Sequence, residues 1–89
     1  MAKNKKVTIN DIDYTLQSVS MTWYLDQLDK YGIVGSGKRD TRGYWDTLFR
    51  NVVISPPEIT SQGISYFDKA DDMSLGFKLH SEIESFLTE

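Results

Sequence analysis

The sequence predicts an α+β fold, an N-terminal β-hairpin packed against about three α-helices. Three observations predict it. Apolar residues alternate between Val7 and Leu16, they recur at three- and four-residue steps in three later stretches, and 89 residues leave room for one modest core. A chain of this size buries only about two-thirds of its unfolded surface, so self-association is a natural way to cover leftover apolar area. One small domain over residues 1–89 is expected, with residues 1–5 a flexible N-terminus and residues 32–40 a mobile glycine-rich loop.

The hairpin comes first. Val7 and Ile9 alternate with polar residues, Ile12, Tyr14 and Leu16 do the same, and Asn10-Asp11 lies between them. A two-residue turn there sets Ile9 opposite Ile12 and Val7 opposite Tyr14, giving one apolar face; Asn and Asp tolerate the positive φ of such turns. That face needs a helix over it, because an isolated hairpin is marginal in water. Ser18 or Ser20 can cap the first helix, in which Met21, Tyr24, Leu25, Leu28 and Tyr31 form a stripe. Gly32 stands where helices commonly end in a left-handed residue.

Asp40 or Thr41 can cap the second helix, whose broad aromatic stripe is Tyr44, Trp45, Leu48, Phe49, Val52 and Val53. Ile54-Ser55-Pro56-Pro57 should stop it and lead into an extended exit, since proline lacks an N–H and its preceding residue avoids helical angles. Residues 58–70 show little periodicity and read as a packed loop with a short turn at Tyr66-Phe67-Asp68. The last helix runs from about Asp72, with Leu75, Leu79, Ile83, Phe86 and Leu87 on one face. Gly76 weakens it by about 1 kcal/mol relative to Ala unless it permits close packing.

Several function classes are poorly supported. Gly32, Gly37 and Lys38 of GIVGSGKR stand where a phosphate-binding loop wants them, but a helix precedes the segment and Arg39 replaces the magnesium-binding hydroxyl. The segment reads instead as a helix-to-helix connection. Without cysteine there is no disulfide, thiol nucleophile or cysteine metal site. His80 is the only histidine, and Asp68, Asp71 and Asp72 lack the spacing of a calcium loop, being placed instead to favour a helix start. No serine lies in a G-x-S-x-G elbow. No catalytic residue, cofactor or metal is therefore expected. No apolar run approaches the roughly 20 residues of a membrane span, and MAKNKK leads into a polar strand, so a cytoplasmic location without membrane contact is expected.

Charge is uneven. Residues 1–53 carry a net +2 and residues 54–89 a net −5, which together give −3. A nucleic-acid binder usually concentrates a basic surplus on one face, and here only the N-terminal lysines and the loop set Lys38, Arg39 and Arg42 could supply one. A small regulator binding nucleic acid through residues 38–42 is the alternative reading, and Lys38 and Arg39 could equally touch an acidic protein. Trp23, Tyr24, Tyr44, Trp45 and Phe49 are much aromatic surface for one small domain, and aromatic residues are favoured interface anchors. A protein-interaction domain is thus the reading that residue chemistry supports.

The order of VTINDIDYTLQ, a helix ending in LDKYG, a charged loop, YWDTLFRNVVISPPEI, YFD and a final helix resembles the small tail assembly chaperones of long-tailed phages and prophages of Gram-positive bacteria. The likeness covers nearly the whole chain. It implies a non-enzymatic protein of the host bacterial cytoplasm that holds the tape measure protein while tail tube subunits polymerise, and that is absent from the mature virion. It further implies a homo-oligomer, possible contact with the major tail tube protein, and in many members a longer frameshifted form. The family has no fixed site; Tyr44, Trp45, Phe49, Phe86 and Leu87 are the candidate client or self-contacts, joined by Lys38 and Arg39.

Overall fold

A computed structural model describes residues 3–33 and 38–88. Strands β1 (Asn4–Ile9) and β2 (Ile12–Gln17) pair antiparallel, with Ile9 opposite Ile12 and Val7 opposite Tyr14. Asn10 and Asp11 hold φ of 53° and 67°, the two left-handed residues whose twist matches that of the flanking strands. Val7, Tyr14 and Leu16 are buried, so the apolar face deduced from alternation is the core face. β1 begins at Asn4, and the Lys3 amide donates to Ser18 Oγ at 2.8 Å, so the sheet claims part of the segment expected to be a flexible N-terminus.

Helix α1 (Met21–Lys30) starts at Ser20, whose hydroxyl accepts from the Trp23 amide. It ends in a Schellman arrangement: Gly32 has φ of 67°, its amide donates to Asp29 O, and the Ile33 amide donates to Leu28 O at 2.9 Å. Gly32 therefore terminates a helix instead of opening a phosphate loop. The expected glycine-rich loop falls partly on residues 34–37, which lie outside the described residues. The stripe expected on α1 is only half used. Tyr24, Leu28 and Tyr31 pack against the core, whereas Met21 is 77% exposed and Leu25 49% exposed.

Helix α2 (Thr41–Val52) is capped by Asp40, whose carboxylate accepts from the Gly43 amide at 3.0 Å. Val53, expected in this helix, instead opens β3 (Val53–Ser55), which adds to the hairpin as a third strand in the order β1-β2-β3. Leu16 faces Val53 and Thr15 faces Ser55, with a register shift between the two pairs. The extended exit is thus a paired strand. The prolines also act differently from expectation: the Ser55–Pro56 bond is cis, and Pro57 occupies the first turn of helix α3 (Pro57–Gln62), where a missing N–H costs nothing.

Two short helices replace the expected loop over residues 58–70. α3 buries Ile59, and α4 (Ser65–Ala70) buries Phe67 and closes with Asp71 in the left-handed region at φ 54°. The turn between them is held from α2. Arg50 donates to the carbonyls of Ser61 and Gln62 at 2.9 and 3.1 Å, pairs with Asp46 at 2.9 Å, and Asp46 accepts from the Ile64 amide. Gly63, at φ 60°, lies beneath this clamp, and a Cβ there would collide with Asp46 Oδ1.

Helix α5 (Met73–Leu87) is capped by Asp72 and buries Leu75, Gly76, Leu79, Ile83 and Phe86. Gly76 lies against the Phe67 ring, and an added Cβ there would meet that ring at ordinary van der Waals range, so the approach of α4 does not require a glycine. Sheet, α2 and α5 together enclose the core, and α3 and α4 close one side. The fold is the expected α+β arrangement of an N-terminal hairpin packed on helices, with β3 added to the sheet and the short α3 and α4 added to the three longer helices among the described residues.

Candidate partner-binding groove

Glu84 on α5 ties three helices together. Tyr44 on α2 donates to Glu84 Oε1 at 2.8 Å and Tyr24 on α1 donates to Oε2 at 3.1 Å. Burial raises the pKa of both phenols, so both keep the protons the carboxylate needs. His80, one turn before Glu84, lies flat against Trp45 with ring centroids 3.7 Å apart and an interplanar angle of 9°. Its Nε2 is 3.7 Å from Glu84 Oε1 and has no hydrogen-bond partner. Burial lowers the His80 pKa and the Glu84 charge only partly opposes it, which favours the neutral imidazole. His80 thus packs as part of an aromatic stack, with its Nε2 left without a hydrogen-bond partner.

This stack supports a groove. With His80 behind it, Trp45 meets Phe77 edge-on at 5.1 Å, and Phe49 one turn later meets Phe67 at 4.7 Å. These rings and Gly76 line an open depression of about 420 Å³ between α2, α4 and α5. Met73, 74% exposed, and Phe77, 55% exposed, also line it, joined by Arg42 and the carboxylates of Asp68, Asp71 and Asp72. The Asp72 carboxylate already caps α5 by accepting from the Leu75 amide at 3.0 Å. Of the groups that acid–base or nucleophilic chemistry uses, the lining holds Thr41 and the carboxylates of Asp68, Asp71 and Asp72, with no histidine, serine or cysteine. Among the described residues no group of three or more acidic or histidine side chains could hold a metal.

The candidate contact residues divide sharply. Tyr44, Phe49 and Phe86 are buried at 4%, 0% and 3% exposure, so in this fold they are core; Tyr44 and Phe86 face inward, and Phe49 reaches the groove only as its floor. Leu87 is half-buried at the end of α5. Trp45 is half-buried and lines the groove. Lys38 and Arg39 are exposed, and Arg39 reaches the Ile33 carbonyl at 3.5 Å. Met73 and Phe77 were not among the candidates. Their signal is a four-residue spacing on the side of α5 away from Leu75, Leu79 and Ile83, which marks a second apolar stripe.

Among the described residues no helix is long and apolar enough to cross a membrane. No family model matches the sequence, and no curated protein or solved structure is similar to it.

Proposed function

We propose that this chain is a non-enzymatic tail assembly chaperone that holds a phage tape measure protein in the host cytoplasm and is left out of the finished virion. The observation that carries the reading is the open groove floored by Trp45 and edged by the exposed Met73 and Phe77. Contiguous apolar surface of this kind on a small soluble domain marks a place where another molecule sits. A helical client suits a groove whose walls are helices. Its lining is dominated by apolar and aromatic side chains, which fits a holding role. The exposed Met21 and Leu25 on α1 give a second apolar surface, separate from the groove.

Co-expression with the tape measure protein of the same genome tests the reading. Co-purification and a rise in the tape measure protein's soluble fraction are expected, both diminished by Phe77→Ala. A folded chain that leaves an adequately expressed tape measure protein insoluble and unbound would overturn it. Salt-sensitive binding to duplex DNA through Lys38 and Arg39 would favour the regulator instead.

A further inference from the structure

The groove described above has a shape and a charge that narrow its occupant, an argument that rests on the groove being the binding site of the proposed function. Trp45 and Phe49 are spaced by four on α2, and Met73 and Phe77 are spaced by four on α5. Residues four apart on a helix lie about 6 Å apart along its axis, so the two rows share one spacing. A third helix presenting its own i, i+4 stripe matches that spacing. An extended peptide would need backbone partners. The walls here are helices whose backbone groups are already bonded internally, so an occupant that satisfies its own backbone fits better.

Charge narrows the choice further. Asp68 and Asp71 are exposed, and neither carboxylate has a hydrogen bond or ion pair among the described residues. With Asp72 they set three carboxylates against the single Arg42 in the groove lining. A second copy is a poor occupant. Its exposed apolar helix face, Met21 and Leu25 on α1, is bordered by the exposed Asp26 and Asp29, which would meet the same carboxylates. An anionic lipid surface or a nucleic acid is disfavoured for the same reason.

We propose that the groove between α2, α4 and α5 takes the apolar face of an amphipathic α-helix flanked by lysine or arginine, with Asp68 and Asp71 as the selecting charges. Two synthetic helical peptides with the same leucine stripe, one flanked by lysine and the other by glutamate, test this by titration followed through tryptophan fluorescence in a Trp23→Phe background, leaving Trp45 as reporter. The lysine peptide is expected to bind about tenfold more tightly, the scale of two exposed ion pairs, with the preference fading as salt rises. Asp68→Asn with Asp71→Asn should erase the preference, since Asn also tolerates the left-handed angles at position 71. Phe77→Ala should weaken both peptides without unfolding a chain in which that ring is 55% exposed.

Equal binding of both peptides, or a preference that survives the double neutralisation, would overturn the proposal, as would a concentration-dependent dimer abolished by Phe77→Ala. The two readings fail separately. Peptide discrimination without tape measure binding removes only the client assignment, and tape measure binding without peptide discrimination removes only this inference.

Discussion

Helices α1 and α5 carry the same kind of apolar periodicity and end up in opposite situations. α5 buries five of its residues, while α1 buries none completely and leaves Met21 and Leu25 in water. Periodicity reports that a helix has an apolar side; it does not report how much of that side the rest of the chain can cover. α5 lies across the sheet and α2, so its stripe meets neighbours on several sides. α1 touches the body along one edge, through Tyr24 to Glu84 and through Tyr31 to Thr47 at 2.8 Å. A small domain runs out of core before it runs out of amphipathic helix.

Side-chain truncation should expose this inequality most strongly. Ile83→Ala on α5, at a fully buried position, is expected to cost about 2–5 kcal/mol in urea unfolding. Comparable losses from Ile83→Ala and Leu25→Ala would break the comparison.

Glu84 is the bond between the two helices, and Glu84→Ala should come next in size. It leaves the hydroxyl of the buried Tyr44 without its 2.8 Å acceptor, an expected loss of about 1–3 kcal/mol. Amide exchange in α1 should speed up more than exchange in α5. Uniform acceleration across both helices would show that α1 is not held by this contact.

A smaller effect belongs to α5 alone. The folded state holds the His80 pKa below its ordinary 6.5 through burial, so the unfolded chain takes up this proton first. Stability should therefore be intact above about pH 6.5, decline as pH falls below it, and keep declining until the folded imidazole titrates. Glu84, Tyr44 and Trp45 are the groups facing the ring, and of these only Glu84 opposes the shift. In His80→Gln the part of the acid slope centred there should vanish; an unchanged slope would assign acid sensitivity to the carboxylates. The least effect is expected on the outer side of α1, where Met21→Ser with Leu25→Ser should change stability by within about 0.5 kcal/mol per site. A larger loss there would mean that sedimentation should be used to look for a partner copy covering those residues.

The same inequality explains what the sequence made legible. Hairpin register and turn residues follow from local chemistry, and the caps Ser20 and Asp40 are each one of the two residues that short-range rules allow, with α5 starting at Asp72. β3 did not, because three residues after a helix carry no alternation to detect. α3 and α4 are six residues each, too short to show a period, and Pro57 looks the same whether it ends one helix or begins another. The groove was visible only in part. Trp45 stood out as an aromatic candidate, but Tyr44, Phe49 and Phe86 belong to the same composition signal and went to the core. Which side of α5 stays open depends on where α1 and α4 come to rest, a tertiary fact that no single stretch encodes.

The Asn10-Asp11 turn bears on how the chain assembles. It brings Ile9 to Ile12 across two residues, whereas Thr15 must find Ser55 through all of α1 and α2. Closing a loop costs about 0.6 kcal/mol more for each doubling of its length, so the first pairing is cheap and the second must await helix formation. During synthesis the hairpin leaves the ribosome before the helices, with Val7, Tyr14 and Leu16 still uncovered, and α5 brings its four large buried side chains after the other elements of this fold. Until the helices that cover it emerge, the hairpin is a two-stranded ribbon with a wet apolar face, the stage at which it is most open to capture by another chain.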